Sequence, residues 1–404
     1  MLIFYFYLII LNLSFSSSTP NNNKIDCLLR KPMKQIPLSL LLASVLGLAA
    51  CNNGGNTTNT ASSNAEPQTA GSNATANNSQ RDFTIAATGG TYQDAIRTLY
   101  FKPFSEKTNK PILDEVFDGG YGVIQAKVQG GNANWDVVQM EAQDLARACA
   151  DGLLEKLDWD KLGGKDKYIA GAAATDCGVG SIVWATAITY DGNRLKDGPK
   201  TWQDFWDLKK FPGKRAMRKQ PEYALESALL ADGVSPDQIY TTLATPEGVD
   251  RAFNKLAEIK PNLLWWESGA QPLQYLASGE VVMATAFNGR VTGMNRTEGT
   301  NFKIVWPQSL YGIDSWTIIK GSPHKDLGMD FIAYATSADV QSKLPETQAY
   351  GITNKDAIAK VPEKFAVDLP SSPANIKDAI AWDANFWVDH SEELTERFNA
   401  WLAK

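Results

Sequence analysis

From Arg81 to Lys404 the chain alternates short apolar runs with amphipathic ones. "DFTIAAT", "KPILDEVF" and "WDVVQM" read as strands. "GGTYQDAIRTLYFKPFSEKTN", "YGVIQAKVQGG" and "EAQDLARACADGLLEKL" read as the turns and helices that follow them; the first puts Ile96, Leu99, Tyr100 and Phe104 on one face. A second series opens at "GKRAMRKQ" and runs through "PEYALESALLADG" and "TPEGVDRAFNKLAEI", whose helix has Thr245 as cap and Pro246 at its first position. "LLWWES", "QPLQYLASG", "EVVMATAFNGR" and "FKIVWP" repeat the alternation, and "SPHKDLGMDFIAYATS" and "EELTERFNAWLA" read as late helices. Strand–helix–strand order at this spacing predicts βαβ units and a mostly parallel sheet. Nothing in the chain repeats with a solenoid period. Two blocks of similar size predict two α/β lobes, with a ligand cleft beyond the carboxyl ends of the strands.

The first 80 residues follow other rules. "SLLLASVLGLAACNN" (Ser39–Asn53) is shorter than the roughly 20 apolar residues of a membrane span and fits a signal h-region, with Met33 and Lys34 as its n-region. Leu48-Ala49-Ala50-Cys51 resembles a bacterial lipoprotein box with Cys51 as the lipidated residue. Residues 1–50 are thus expected to be a signal region, with Met33 as the true start; an N-terminal membrane anchor is the alternative for the segment before it. Residues 51–80 are almost all Asn, Thr, Ser, Ala and Gly, with Glu66 as their one charge. Such a segment cannot bury enough apolar area to offset chain entropy, so it is expected to be a disordered tether of roughly 30 Å.

Removing residues 1–50 deletes four basic residues and one acid, so the net charge of −6 becomes −9. An acidic body argues against nucleic acid as a partner. Only Cys149 and Cys177 remain in the body, and two thiols in an oxidising compartment predict a disulfide, closing a loop that contributes about 3 kcal/mol. Two Cys and the distant His324 and His390 lack metal-ligand spacing, and no cofactor is called for. The chain lacks a G-x-S-x-G elbow, a P-loop and an H-E-x-x-H helix, which leaves a secreted hydrolase as a remote alternative.

An ordered series of short segments, "WDVVQM…GLLEKLD", "VWATAITYD", "TWQDFWDLKKFPGK", "GEVVMATAFNGR", "VWPQSLYGIDSW" and "AYGITNKDA", resembles the spermidine/putrescine-binding proteins of ABC importers over nearly all of residues 81–404. The resemblance implies a two-lobe α/β periplasmic-binding-protein (Venus-flytrap) fold with the ligand cleft between lobes. It places chain crossings near Thr186–Asp191 and Pro307–Asp314 and a return after Tyr350. Lobe one would be residues 81–187 plus 311–351, and lobe two residues 188–310 plus 352–404. It also implies a monomeric, lipid-anchored periplasmic receptor that delivers an amine solute, a polyamine such as putrescine or spermidine, to an inner-membrane permease, and a cysteine pair at Cys149 and Cys177.

In that family aromatic faces hold the methylene chain and carboxylates grip the ammonium groups. Carried over residue by residue, Asp314 in "YGIDSW" is the ammonium grip and Tyr350 a cleft tyrosine. Phe287 stands for a cleft tryptophan, Tyr92 for an aromatic after the first strand, and Glu141 and Asp383 for polar contacts. There are departures. The tryptophan-rich first turn is "TGGTY", a cleft tryptophan before the acid is Gly312, and an acidic pair gives way to "RKQPEYALE", with Trp265 and Trp266 available to restore aromatic surface. Arg290 has two readings: a lobe-surface ion pair, or a clamp for a ligand carboxylate. The second would make the ligand an amino acid or γ-amino acid rather than a diamine.

Overall fold

The computed structural model describes residues 81–404 apart from Asp118 and Asn132. The signal region, Cys51 and the tether lie outside the described residues.

The strands are β1 (Phe83–Ala87), β2 (Ile112–Val116), β3 (Val137–Met140), β4 (Gly178–Asp191), β5 (Arg215–Arg218), β6 (Leu263–Trp266), β7 (Met283–Phe287), β8 (Phe302–Ile318) and β9 (Ile380–Ala381). Six helices matter for the site: α1 (Thr91–Ile96), α2 (Ala142–Ala150), α3 (Ala224–Ala231), α4 (Pro246–Ile259), α5 (Asn288–Glu298) and α6 (Ala384–Leu402). The strand order is β2-β1-β3-β8-β4-β7-β5-β6, with β9 beside β8. β2-β1-β3 and β7-β5-β6 are parallel, as the alternation predicts. Between these flanks run two long antiparallel strands: β8 pairs with β3 of one flank, β4 pairs with β7 of the other, and the two pair with each other. This is the two-lobe arrangement expected, joined by antiparallel strands that local alternation did not foretell. The β4–β8 register breaks between Thr186 and Ile188, opposite Leu310 and Val305, where Gln308 takes a positive φ of 58°.

Each flank carries its own apolar cluster. Phe117, Trp135, Val138, Met140 and Leu145 pack beside β3, and Ala216, Trp266, Leu273, Ala284 and Val291 pack beside β5 and β7. Burial of the larger of these side chains contributes about 1.5–3 kcal/mol each. Cys149 and Cys177 form the expected disulfide, with Cα atoms 5.8 Å apart, tying the end of α2 to the start of β4. The α4 cap reads as the sequence predicts: the Thr245 hydroxyl accepts from Gly248 N at 3.1 Å. Among the described residues no helix is long and apolar enough to cross a membrane.

Candidate functional site

A cavity of about 600 Å³ opens between the two flanks. Two other depressions, lined by Asp232–Glu258 residues and by residues around Arg81 and His324, contain neither tryptophan nor tyrosine. In the large cavity five of the six parallel strands, all but β2, present their carboxyl ends, where such sheets bind ligands. Tyr92 follows β1, Glu141 follows β3, Arg218 ends β5, Trp266 ends β6 and Phe287 ends β7, and all five line the cavity. Asp314 and Trp184 come instead from the middles of β8 and β4. Tyr350 and Arg290 complete the lining.

The aromatic groups fall into two sets, a tyrosine pair and a run of four rings. Tyr92 meets Tyr350 edge-on at 5.5 Å, Trp184 meets Phe287 at 5.7 Å and Tyr223 at 5.8 Å, and Phe287 meets Trp266 at 5.8 Å. Trp266 is only 1 % exposed and stands behind Phe287, and its indole N–H has no partner among the described residues. Tyr223 holds a φ of 66°, which costs a non-glycine residue about 1–3 kcal/mol and marks functional sites more often than frameworks.

Asp314 is 7 % exposed. Its Oδ1 accepts from Trp184 Nε1 at 2.8 Å. Among the described residues no cation lies within 4.0 Å of it. Burial, reinforced by the Glu141 charge, pushes its pKa well above the usual carboxylate value, against the pull of the Trp184 bond. Glu141 opens to solvent through the cavity, yet protein closes round it enough that desolvation raises its pKa, opposed by Arg218. Two carboxylates of this kind can accept charge-assisted hydrogen bonds from a cation.

Arg218 was not singled out from the sequence, although it opens the departing segment "RKQPEYALE". Its guanidinium lies over the Phe287 ring at 5.4 Å and the Trp266 ring at 5.8 Å. Arg290 lines the cavity and makes no ion pair among the described residues, so the surface-pair reading gives way to a cleft position. Arg218 is likewise without a carboxylate within 4.0 Å.

Trp184 was also missed, and it resolves the departure at Gly312. The two residues face each other directly across β4 and β8. A Cβ on Gly312 would lie 2.3 Å from the Trp184 ring, so glycine makes room for an aromatic supplied by the opposite strand. Buried Asn288 is a third residue beyond the sequence reading. It accepts from Ala185 N at 2.9 Å and donates to Ala349 O at 2.6 Å, fixing the start of α5 against the segment that carries Tyr350.

Tyr92, Glu141, Trp266, Phe287, Arg290, Asp314 and Tyr350 are therefore brought together. Asp383 is not. Its carboxylate caps α6, accepting from Asn385 N at 3.0 Å and Phe386 N at 3.1 Å, and it is absent from the cavity lining. Trp265 packs on Phe398 and Trp401 instead of the cavity.

Residues 100–373 match the family profile described as bacterial extracellular solute-binding protein. The chain is 44 % identical over 324 residues to a gamma-aminobutyric acid-binding protein of Pseudomonas aeruginosa, covering 80 % of this chain and 92 % of that one. It is 23 % identical to a putrescine-binding periplasmic protein of Escherichia coli, covering 63 % and 74 %. Among solved structures, a GABA receptor superposes with a TM-score of 0.72 at 35 % identity, covering 80 % of this chain and 98 % of that one. A periplasmic binding protein of Agrobacterium tumefaciens in complex with glucopine gives 0.70 at 34 %, covering 80 % and 100 %. The two flanks, the cavity at their strand ends and these likenesses agree: the chain belongs to the bacterial extracellular solute-binding proteins, as a non-enzymatic substrate-binding component of an ABC importer.

Proposed function

We propose that the receptor captures a linear zwitterion, an ω-amino acid of the γ-aminobutyrate type, rather than a polyamine. The observation that carries this reading is the charge layout of the cavity: Asp314 and Glu141 share it with Arg218 and Arg290. A diamine has two cations and would leave one of them beside a guanidinium. A zwitterion lays its ammonium on the carboxylates, its carboxylate on a guanidinium and its methylenes against the aromatic faces. The 44 % identity to a gamma-aminobutyric acid-binding protein supports the same choice, against 23 % for a putrescine-binding one. The polyamine expectation followed Asp314 and the aromatic residues; the arginines are what turn it.

Calorimetric titration with γ-aminobutyrate, putrescine and spermidine tests the reading. The zwitterion is expected to bind tightest, and tighter binding of either polyamine would overturn it. In the cell, the same reading has Cys51 lipidated and residues 51–80 tethering a monomer to a membrane next to its permease. Mass spectrometry of the native protein is the check, and a mature chain starting at Met1 would refute the anchor.

A further inference from the structure

Gln139, in β3, is 2 % exposed and is not among the residues lining the cavity. Its Nε2 lies 2.8 Å from Tyr92 Oη and 2.8 Å from Ser181 Oγ, so both amide hydrogens are used. Ser181 Oγ in turn donates to the Asp314 carbonyl at 2.8 Å, so its one proton is used as well. The reverse amide orientation would set Oε1 against a hydroxyl whose proton is already committed. In the orientation observed Oε1 has no partner among the described residues.

One proton remains. Tyr92 accepts from Gln139, and its own O–H has no acceptor among the described residues. Tyr92 lines the cavity and packs on Tyr350, which feels both the Asp314 carboxylate and the Arg290 guanidinium. The tyrosine pair thus lies within electrostatic reach of Asp314 and Arg290. We propose that Gln139 is a positioning residue: by donating to Tyr92 it fixes the tyrosine hydroxyl as a donor toward the cavity, and so selects ligands that bring an oxygen acceptor. The inference rests on the zwitterion reading and names a device for it, since a diamine offers no such oxygen.

The test is a double-mutant cycle on γ-aminobutyrate affinity. In Gln139→Glu an ionised carboxylate accepts from Tyr92 and turns its proton away from the ligand. Affinity is expected to fall about tenfold near pH 8, by the loss of a charge-assisted donor. The deficit relative to wild type at the same pH is expected to close near pH 5, because burial raises the introduced carboxyl's pKa and its protonated form donates again; wild type is the reference because Asp314 and Glu141 also gain protons on acidification. With Tyr92→Phe as background, Gln139→Glu is expected to change affinity less than about twofold. Should Gln139→Glu fail to fold, Gln139→Met enters the same cycle, and its loss of affinity is expected to vanish when Tyr92→Phe is present. Losses that add in full in either cycle, or a Gln139→Glu loss that acid does not relieve, would make Gln139 a structural residue and overturn the proposal while leaving the zwitterion reading intact. A wild-type protein that binds no ω-amino acid would overturn both.

Discussion

The two walls of the cavity are built alike and charged oppositely. Both use the carboxyl ends of parallel strands. The wall around β1, β3 and β8 presents Tyr92, Glu141 and Asp314, and its acids have raised pKa values because burial disfavours their charged forms. The wall around β5, β6 and β7 presents Arg218, Trp266, Phe287 and Arg290, and covers its guanidinium with aromatic rings. Of its acids, Glu267 and Glu298 line the cavity beside Arg290 and Arg296, whereas Glu226 is withdrawn from it, fully buried and accepting from Trp387 Nε1 at 2.8 Å. The fold supplies one geometry twice, and local side chains decide which charges each copy presents.

The acidic wall is where the largest effect is expected. Asp314→Asn keeps the shape and the Trp184 contact but removes the charge. Ligand affinity should fall by about 2–5 kcal/mol, roughly 30-fold or more, with an unchanged melting profile. Unaltered affinity by calorimetry would move the ammonium grip elsewhere.

Acid titration separates the walls next. The folded pKa of Glu226 is raised from 4.5 to about 7, chiefly by burial. Between those values the folded state holds the proton that the unfolded chain has lost, so stability falls as pH rises through this window. The loss is complete above about pH 7 and amounts to about 3 kcal/mol. Asp314 and Glu141, with pKa values raised in the same sense, add to the trend. Their effect on binding has the opposite sign, because protonating them discharges the ammonium site, so affinity falls as stability rises on acidification. Denaturant melts from pH 5 to 8 should show this slope, flattened in Glu226→Gln. A flat wild-type profile would contradict it.

A third change strikes the strand pair that joins the walls. Gly312→Ala drives a methyl against the Trp184 ring. Overpacking of this kind costs about 1–3 kcal/mol of stability, and displacing Trp184 should also weaken ligand binding through Asp314. Wild-type affinity and melting temperature in this variant would show that Trp184 can yield at no cost.

On the arginine wall, Arg218→Gln and Arg290→Gln should each weaken γ-aminobutyrate binding about tenfold, since these groups are partly solvated. Either change should leave a diamine unaffected or better bound. A loss that is equal for both ligands would erase the distinction between the walls. The smallest effect is expected outside both: Asp383→Ala should cost about 1 kcal/mol of stability through the α6 cap and leave ligand affinity unchanged. A fall in affinity with this variant would return Asp383 to the site.

Periodicity alone determined a good deal. The apolar runs at "DFTIAAT", "WDVVQM", "LLWWES" and the core of "EVVMATAFNGR" became β1, β3, β6 and β7, because alternation and length are local properties of the chain. Helix α5 escaped this reading, since its residues "NGRVTGMNRTE" carry two glycines and no apolar stripe, and packing holds it where propensity does not. The cysteine pair was readable from number and compartment. Tertiary structure decided the site. Trp184 and Gly312 lie 128 residues apart and become a complementary pair only through the β4–β8 register. Arg218 and Arg290 are ordinary cations in the sequence and gain meaning when they share a cavity with Asp314. Asp383 went the other way, because in sequence a helix cap and a ligand contact are the same short polar residue and only its backbone partners tell them apart. Local patterns follow from which atoms are bonded in order; charge complementarity depends on distances between strands, and those exist only once the sheet has formed.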